Sequence, residues 1–417
     1  MTRGPRLSGF TLIVLATAIA GAIGYVITWI VPRRVGFADY TIYAVFWSFL
    51  FLLVGTLSGI QQEVTRASSS PLKNTVRMGT ARAGRFAAVT AILVFAAVGL
   101  SSPLWVGSAF GSLGWELAPP LALGAAFYVV VAVIGGLLYG ASAWGLLFFL
   151  ISIEALVRIV GVSAVLLFST DTVLLAWAVV LPFPVTLAIM WRRLKVVLAG
   201  RGQMDVGYGG LIWNVARTIV AAGSLGIMVS GFPFLLGVTS RGADFKNLGL
   251  LLLAITLTRA PLIIAVMSLQ SFLVVHFRNR SNRIGRSLLF VALAILLAGV
   301  VLAAAVWWAG QFMFMLLFPG EPVPAQGLLV ALVFSSALVA LLCATGPALL
   351  SSDRHGLYSI GWALAAVVTV ICLLLPLPLS GRTLIALFAG PLAGLLVHGV
   401  GLLVAYGPAT AAGEPAD

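Results

Sequence analysis

Long runs of apolar residues, separated by short polar and basic stretches, follow one another along the chain. A helix needs about 20 mostly apolar residues to cross the hydrocarbon core of a bilayer. The pattern therefore predicts an all-α polytopic membrane protein of about twelve transmembrane helices. The predicted spans lie at residues 9–31, 40–60, 86–107, 119–140, 145–168, 173–190, 210–237, 247–272, 288–309, 326–350, 357–377 and 383–405. The run at 210–237 is long for one crossing, and we expect its first turns to tilt or to lie at the interface.

The order of the spans divides the chain near residue 200. Six predicted spans precede the basic stretch at 191–208 and six follow it. With an even number of spans in each half, both halves insert the same way up, which allows a parallel repeat about the membrane normal. This predicts two six-helix bundles, residues 1–200 and 201–417, around a central cavity. Such an architecture is typical of alternating-access transporters.

Composition narrows the class of protein. Of the 417 residues, 61% are hydrophobic and only 8% are charged, whereas soluble domains carry about 25% charged residues. Too few polar side chains remain to cover a soluble core, which excludes a soluble enzyme and a disordered chain. The loops are too short for a soluble domain, and no glycine is followed by the lysine of a phosphate-binding loop. We therefore expect a protein that is not an enzyme.

The basic residues lie mainly in the short loops and predict the orientation of the chain. The net charge is +13, from 24 Lys and Arg against 11 Asp and Glu. With the N-terminus in the cytoplasm, 16 Lys and Arg fall on inward segments, 5 on outward segments and 3 inside spans. The positive-inside rule thus predicts a plasma-membrane protein with both termini cytoplasmic. It also explains the charge without a nucleic-acid partner.

Metal and disulfide chemistry are not expected. The two cysteines, Cys343 and Cys372, lie inside apolar runs and have no nearby His/Cys pair. They are too few for a disulfide framework, and they do not have the spacing of a metal site. We expect both to be packed as small apolar residues, and we expect no cofactor.

Charged residues inside spans are costly and are therefore candidates for function. Glu154 and Arg158 lie four residues apart near the middle of the fifth span, with the acid N-terminal to the base. This order favours an ion pair on one helix face. The pair can be a self-neutralised structural element or part of a substrate site, and the sequence favours neither.

Arg259 has no acidic residue in its span and lies near the middle of the eighth one. Pro261 follows closely and predicts a kink that frees a backbone carbonyl. An unpaired arginine at this depth should face water or an anion, so we favour a cavity position over a pair with Glu154. Arg217 lies nearer the cytoplasmic end of its span, where its side chain can reach the headgroups.

Three further features have a structural and a functional interpretation. The stretch from Gln61 to Arg66 closes the second span and can anchor that helix end or gate a cavity. His398 in the last span can relay protons, but a packed interhelical donor is the more usual role. The motif Gly390-x-x-x-Gly394 predicts close approach of another helix.

Several stretches of the sequence resemble the polysaccharide-biosynthesis flippases of the multidrug/oligosaccharidyl-lipid/polysaccharide exporter (MOP) superfamily. The first span and its short loop are similar to theirs, as are an R-x-P element in the eighth span and an outward loop before the tenth. These likenesses rest on Gly21–Tyr25, Pro32–Tyr40, Leu257–Leu262 and Met315–Glu321.

The resemblance implies a fold of two six-helix bundles in a V and a role in moving polyprenyl-pyrophosphate-linked sugars across the membrane. In the related lipid II flippases, cavity arginines meet the pyrophosphate, and the motif carries this role only onto Arg259. The segment from Thr11 to Thr28 has no charge, unlike the first span of lipid II flippases, which favours a surface-polysaccharide intermediate as the substrate.

The leading hypothesis is thus a transporter that flips or exports an anionic lipid-linked oligosaccharide for surface polysaccharide assembly. Its partners would be membrane lipids and a polysaccharide polymerase, and its substrate-binding residues would be Arg259, Arg217, Arg158 and Glu154. A cation-coupled multidrug antiporter of the same superfamily would want acids in its cavity, whereas the spans hold three arginines and one glutamate. A non-transporting membrane subunit of a polysaccharide machine is the third hypothesis.

Overall fold

The computed structural model describes residues 8–68, 81–240, 244–278, 284–352 and 354–406. Within these ranges the chain forms thirteen α-helices and no β-strand. Several of the basic residues counted for the orientation, among them Arg3, Lys73 and Arg280, lie outside the described residues. The helices are α1 (Gly9–Ser68), α2 (Ala83–Phe110), α3 (Gly114–Gly140), α4 (Trp144–Phe168), α5 (Thr172–Val180), α6 (Pro182–Leu198), α7 (Tyr208–Val229), α8 (Phe232–Thr239), α9 (Phe245–Arg278), α10 (Ile284–Leu317), α11 (Gln326–Ser351), α12 (His355–Leu373) and α13 (Leu379–Tyr406).

The number of crossings follows from the lengths of the apolar helical segments. Ten such segments of the described chain are long and apolar enough to span a bilayer, and two of them contain 58 residues each. At 1.5 Å per residue, 58 residues would extend roughly 87 Å, far beyond a hydrocarbon core of about 30 Å. Each of the two long segments therefore provides two crossings. The predicted fold class, an all-α polytopic protein of about twelve spans, is confirmed.

Helix α1 contains the break between the first two spans. Its Gly36 has φ 79° and ψ 165°, outside helical geometry, and Pro32 lies one turn earlier. A positive φ is accessible to glycine at little cost because it has no Cβ. Proline cannot donate the hydrogen bond that would continue the helix. The chain therefore turns back into the membrane after residue 36 without a long loop.

The turn between α2 and α3 depends on close backbone contact. A short 3₁₀-helix, Gly111–Leu113, joins the two helices. A Cβ atom on Gly114 would lie 2.7 Å from the carbonyl oxygen of Val106, which is too close for any side chain. Glycine at this position thus allows the third and fourth spans to form a tight antiparallel pair.

Two other predicted spans are each formed by a broken helix. Helices α5 and α6 meet at Leu181, where Pro182 begins the second helix. Helices α7 and α8 are separated by Ser230 and Gly231. The predicted run at 210–237 thus contains a break near its end. The expected tilt or interfacial position of its first turns stays a prediction.

The contacts within the chain divide it into two compact units, one ending at Gly226 and the other beginning at Ile227. In the first unit, α1 packs on α3 and α4, and α3 also packs on α2. The contacts assign most of α7 to this unit. The predicted division into two six-helix bundles, with its boundary at residue 200, stays a prediction. One apolar core cluster of the unit contains Leu138, Leu147, Leu150, Met190 and Leu194.

In the second unit, α11 is the central helix. It packs against α9, α10 and α13, and α12 packs against α13. A Cβ on Gly394 of α13 would lie 2.9 Å from the carbonyl oxygen of Gly361 on α12, so the two backbones touch. The close approach predicted from the Gly390-x-x-x-Gly394 motif is therefore confirmed.

Candidate substrate-binding site

Glu154 and Arg158 form an ion pair on α4. Arg158 Nη2 lies 2.5 Å from Glu154 Oε1, and the side chains are 8% and 19% exposed respectively. The spacing of four residues places both groups on one face of the helix, with the acid nearer its N-terminus. Only one carboxylate oxygen is used by Arg158. The other oxygen of Glu154 remains available as a hydrogen-bond acceptor.

Aromatic rings from two other helices surround the guanidinium of Arg158. Its Cζ atom lies 5.3 Å from the ring centroid of Phe51 and 6.0 Å from that of Trp47, both on α1. It also lies 5.6 Å from the centroid of Phe183 on α6. All three distances fall within the range of about 6 Å over which a cation is attracted to a ring face. The backbone adds one long hydrogen bond, from Arg158 Nε to the Val179 carbonyl at 3.5 Å.

The three rings around Arg158 are functional candidates that sequence reasoning missed. Two of them, Trp47 and Phe51, recur with Tyr43 every fourth residue, which places these three aromatic residues on one face of α1. Neighbouring rings of this stripe are in contact, at centroid distances of 5.9 Å for Tyr43–Trp47 and 4.7 Å for Trp47–Phe51. The spacing of four residues is visible in the sequence and predicts a shared helix face. It does not by itself indicate a binding site, because a stripe of aromatic residues in a span usually indicates packing.

Arg259 is buried in the second unit, on α9. Only 4% of the residue is exposed. Its Nη2 donates a long hydrogen bond of 3.4 Å to the Met228 carbonyl, and its Cζ lies 5.4 Å from the ring centroid of Phe232. Its Nε has no hydrogen-bond partner, and across the described ranges no carboxylate pairs with it. The Nε–H donor of the guanidinium is therefore unused, and its charge is met by a ring face and not by a carboxylate.

Arg217 lies on an exposed face of α7, beside Trp213 and Val220. It is roughly 13 Å along the helix from Tyr208, and no acidic side chain of the described chain pairs with it. The structure thus brings Glu154 and Arg158 together, whereas Arg217 occupies a separate exposed face and Arg259 belongs to the other unit. Convergence of these residues on one site stays a prediction.

A second polar cluster lies at the end of α1. Glu63 is buried, and its carboxylate accepts hydrogen bonds from Arg66 at 2.7–3.1 Å and from Asn214 of α7 at 2.9 Å. Arg66 also donates to Asp205 at 3.1 Å. Of the two predicted roles for the stretch from Gln61 to Arg66, an anchor accounts directly for these contacts. The same contacts tie α1 to α7.

Both cysteines are buried, as expected for packed residues. Over the part of the chain that the structure describes, no group of three His, Cys, Asp or Glu side chains could hold a metal ion.

Comparison with known proteins identifies relatives and a fold. No model of a protein family matches the chain. It is 32% identical over 396 residues to uncharacterized protein Mb3654 of Mycobacterium bovis, an alignment covering 93% of this chain and 90% of that protein.

Solved structures share the fold at much lower identity. One is an inward-facing multidrug resistance MATE family transporter of the MOP superfamily, with a TM-score of 0.69 and 13% identity, covering 96% of this chain and 99% of that one. Another is the lipid II flippase MurJ in an inward closed conformation, with a TM-score of 0.67 and 12% identity, covering 97% and 94%. The chain therefore belongs to the family of the mycobacterial protein Mb3654, and it is a multi-pass membrane protein with the fold of MOP-superfamily transporters.

Proposed function

We propose that this protein transports a polyprenyl-pyrophosphate-linked oligosaccharide across the plasma membrane, by flipping or exporting it for surface polysaccharide assembly. Membrane lipids surround it, and a polysaccharide polymerase would receive its product. Both termini lie in the cytoplasm in this proposal. A substrate of this kind has an anionic head and an apolar tail, so its carrier needs cationic groups within its spans.

The fold and one buried residue support the proposal. A lipid II flippase has the same fold, although its low identity carries only the architecture. The observation that carries the substrate class is Arg259, a buried arginine in a span with an unpartnered Nε. A buried charge without a partner is strongly unfavourable, and a bound phosphate would supply the missing acceptors. The planar guanidinium can bind two phosphate oxygens at once.

The other candidate residues would contribute in different ways. Arg217 lies exposed on α7 and would attract the pyrophosphate from the cytoplasmic side. Arg158 and Glu154 neutralise each other through their ion pair. Glu154 would use its second carboxylate oxygen to accept hydrogen bonds from sugar hydroxyl groups. Arg158 would hold that carboxylate in place.

A direct test follows the movement of a fluorescent polyprenyl-pyrophosphoryl disaccharide in proteoliposomes. Arg259→Ala removes charge-assisted hydrogen bonds to the head group, so we expect the rate to fall roughly 100-fold. Arg259→Lys keeps the charge but loses the bidentate geometry and should retain partial activity. The rate is measured by quenching the fluorophore that reaches the outer leaflet.

The matched control is Arg193→Ala, which removes an exposed arginine of α6 that lies outside the proposed site. This variant should move the lipid at the wild-type rate. A wild-type rate for Arg259→Ala as well would remove Arg259 from the substrate site. Because the fold is also that of multidrug transporters, the wild-type protein should be tested with a cationic dye and a cation gradient. Dye movement without lipid movement would establish the antiporter, and movement of neither would favour a non-transporting subunit.

A further inference from the structure

The surroundings of Arg158 have the composition of a site for an organic cation. Such sites combine several aromatic ring faces with a carboxylate. Here the faces of Trp47, Phe51 and Phe183 lie 5.3–6.0 Å from Cζ. The Glu154 carboxylate lies 2.5 Å from Nη2. We call these four side chains the cation cage.

We infer that the cation cage is an organic-cation site that the chain fills with its own Arg158, so that external organic cations are excluded from it. The ligand that fits the empty cage is a planar guanidinium or a small ammonium ion. Arg158 acts in this inference as a specificity-determining residue. The inference goes beyond the proposed transport of an anionic lipid.

An ion pair alone does not require this arrangement. Glu154 and Arg158 would meet through their spacing on any face of α4, without help from other helices. The three rings instead come from α1 and α6 and converge on the central carbon of the guanidinium. A buried ion pair by itself has little net stabilising effect because both charges lose their hydration. The ring faces provide part of the interaction that replaces the lost water.

Three of the four members of the cation cage are partly exposed. Trp47, Phe51 and Glu154 are all partly exposed, whereas the Arg158 side chain is only 8% exposed. Arg158 is thus more buried than these three members of the cage, whereas the fourth, Phe183, is itself fully buried. Removal of the occupant should leave an accessible pocket with a negative charge at its base and aromatic walls.

The filled cation cage is relevant to whether this protein carries cationic or anionic substrates. A carrier of cationic compounds would need such a cage to be empty and its carboxylate unpaired. In this chain the carboxylate is already paired with a tethered cation. The first unit therefore offers no unoccupied cation site at this position.

The test removes the occupant and supplies a soluble replacement. Full-length wild-type and Arg158→Ala proteins are purified in nanodiscs, and thermal unfolding is followed against increasing methylguanidinium chloride. Sodium chloride of equal ionic strength is the reference. We expect methylguanidinium to raise the melting temperature of Arg158→Ala in a saturable way, because a ligand that binds only the folded state stabilises it. The wild-type protein, whose cage is full, should show no saturable increase.

Two double variants test the walls of the cage. Adding Glu154→Gln to Arg158→Ala removes the counter-charge and should raise the half-saturating concentration about tenfold, the effect of one charge-assisted hydrogen bond. Adding Trp47→Leu removes one ring face and should raise it roughly fivefold. Adding Phe149→Leu changes an aromatic residue of α4 outside the cage and should leave the concentration unchanged.

Three results would overturn the inference. The absence of a saturable response in folded Arg158→Ala would exclude a ligand site. An equal response in the Glu154→Gln double variant would show that the effect is not specific to the cage. If Arg158→Ala does not fold, Arg158→Val keeps more of the packing of α4 and takes its place. Failure of both variants to fold would show that Arg158 is required for folding and does not act as a replaceable occupant.

Discussion

His398 shows how a single buried polar residue joins three helices. Its Nδ1 lies 2.8 Å from Thr345 Oγ1 on α11, and its Nε2 lies 3.3 Å from the Tyr358 carbonyl on α12. Because a carbonyl only accepts, Nε2 carries a hydrogen and donates it to Tyr358. The ring also stacks on Tyr358, with centroids 6.2 Å apart. These contacts favour the packed interhelical role over the proton relay.

The packing around His398 gives a stability prediction. A Cβ on Gly361 would lie 2.3–2.4 Å from the His398 ring, which is held on both sides. Gly361→Ala should therefore force α12 and α13 apart and cost about 1–3 kcal/mol, seen as a lower melting temperature of the purified protein.

Gly356→Ala is the matched control for this prediction, because it lies in the same helix and has no atom within 4 Å of its ideal Cβ. The control should not lose stability, since alanine favours helix more than glycine does. Equal melting temperatures for the two variants would contradict the proposed contact between Gly361 and the His398 ring.

At the level of helices, α1 and α7 form a close seam. A Cβ on Gly59 would lie 2.7 Å from the backbone of Thr218 and Ile219. Thr218 Oγ1 donates to the Gly59 carbonyl at 2.9 Å, and one turn further Asn214 donates to Glu63. The absence of a side chain at residue 59 thus allows hydrogen bonds between the two helices.

The seam predicts a large effect of a small substitution. Gly59→Ala should separate α1 from α7, weaken both hydrogen bonds and cost about 1–3 kcal/mol. Gly24→Ala, in the same helix but with open space around its Cβ, should be neutral. Thermal unfolding of both variants in nanodiscs measures the difference. A melting temperature of Gly59→Ala equal to that of the wild type would show that α1 and α7 do not touch at this residue.

The existence of the helices could be predicted from the sequence, but their partners could not. Backbone groups inside a bilayer must be hydrogen-bonded, so each long apolar run becomes a helix whatever its neighbours are. Local chemistry also marks the break at Pro182, where a backbone donor is missing. In the same way, the spacing of Glu154 and Arg158 predicts their ion pair. These features depend on residues close together in the chain.

The cation cage could not be predicted because its members are far apart in sequence. Trp47 and Phe183 come to the same guanidinium only through the packing of α1 and α6 against α4. The environment of Arg259 depends in the same way on Met228 and Phe232, which lie on other helices. The apolar runs predict which residues lie in a span, but they do not predict which spans are neighbours.

At the level of the whole molecule, the number of crossings determines which loops share a side of the membrane. Eight crossings separate Ser112 from Ser380, and three separate Ser112 from Ala199. An even number returns the chain to the same side, and an odd number places it on the opposite side. Ser112 and Ser380 should therefore face one compartment and Ala199 the other. The excess of basic residues near Ala199 predicts that its side is the cytoplasm.

Cysteine labelling tests this topology in intact cells. Cys343 and Cys372 are first replaced by alanine, and single cysteines are introduced as Ser112→Cys, Ser380→Cys and Ala199→Cys, all at exposed positions. A membrane-impermeant maleimide should label positions 112 and 380 directly, and position 199 only after the cells are permeabilised. The reverse pattern would invert the orientation while keeping twelve spans. Labelling of 112 but not of 380 would mean an odd number of crossings between them, because only an odd number can place two loops on opposite sides.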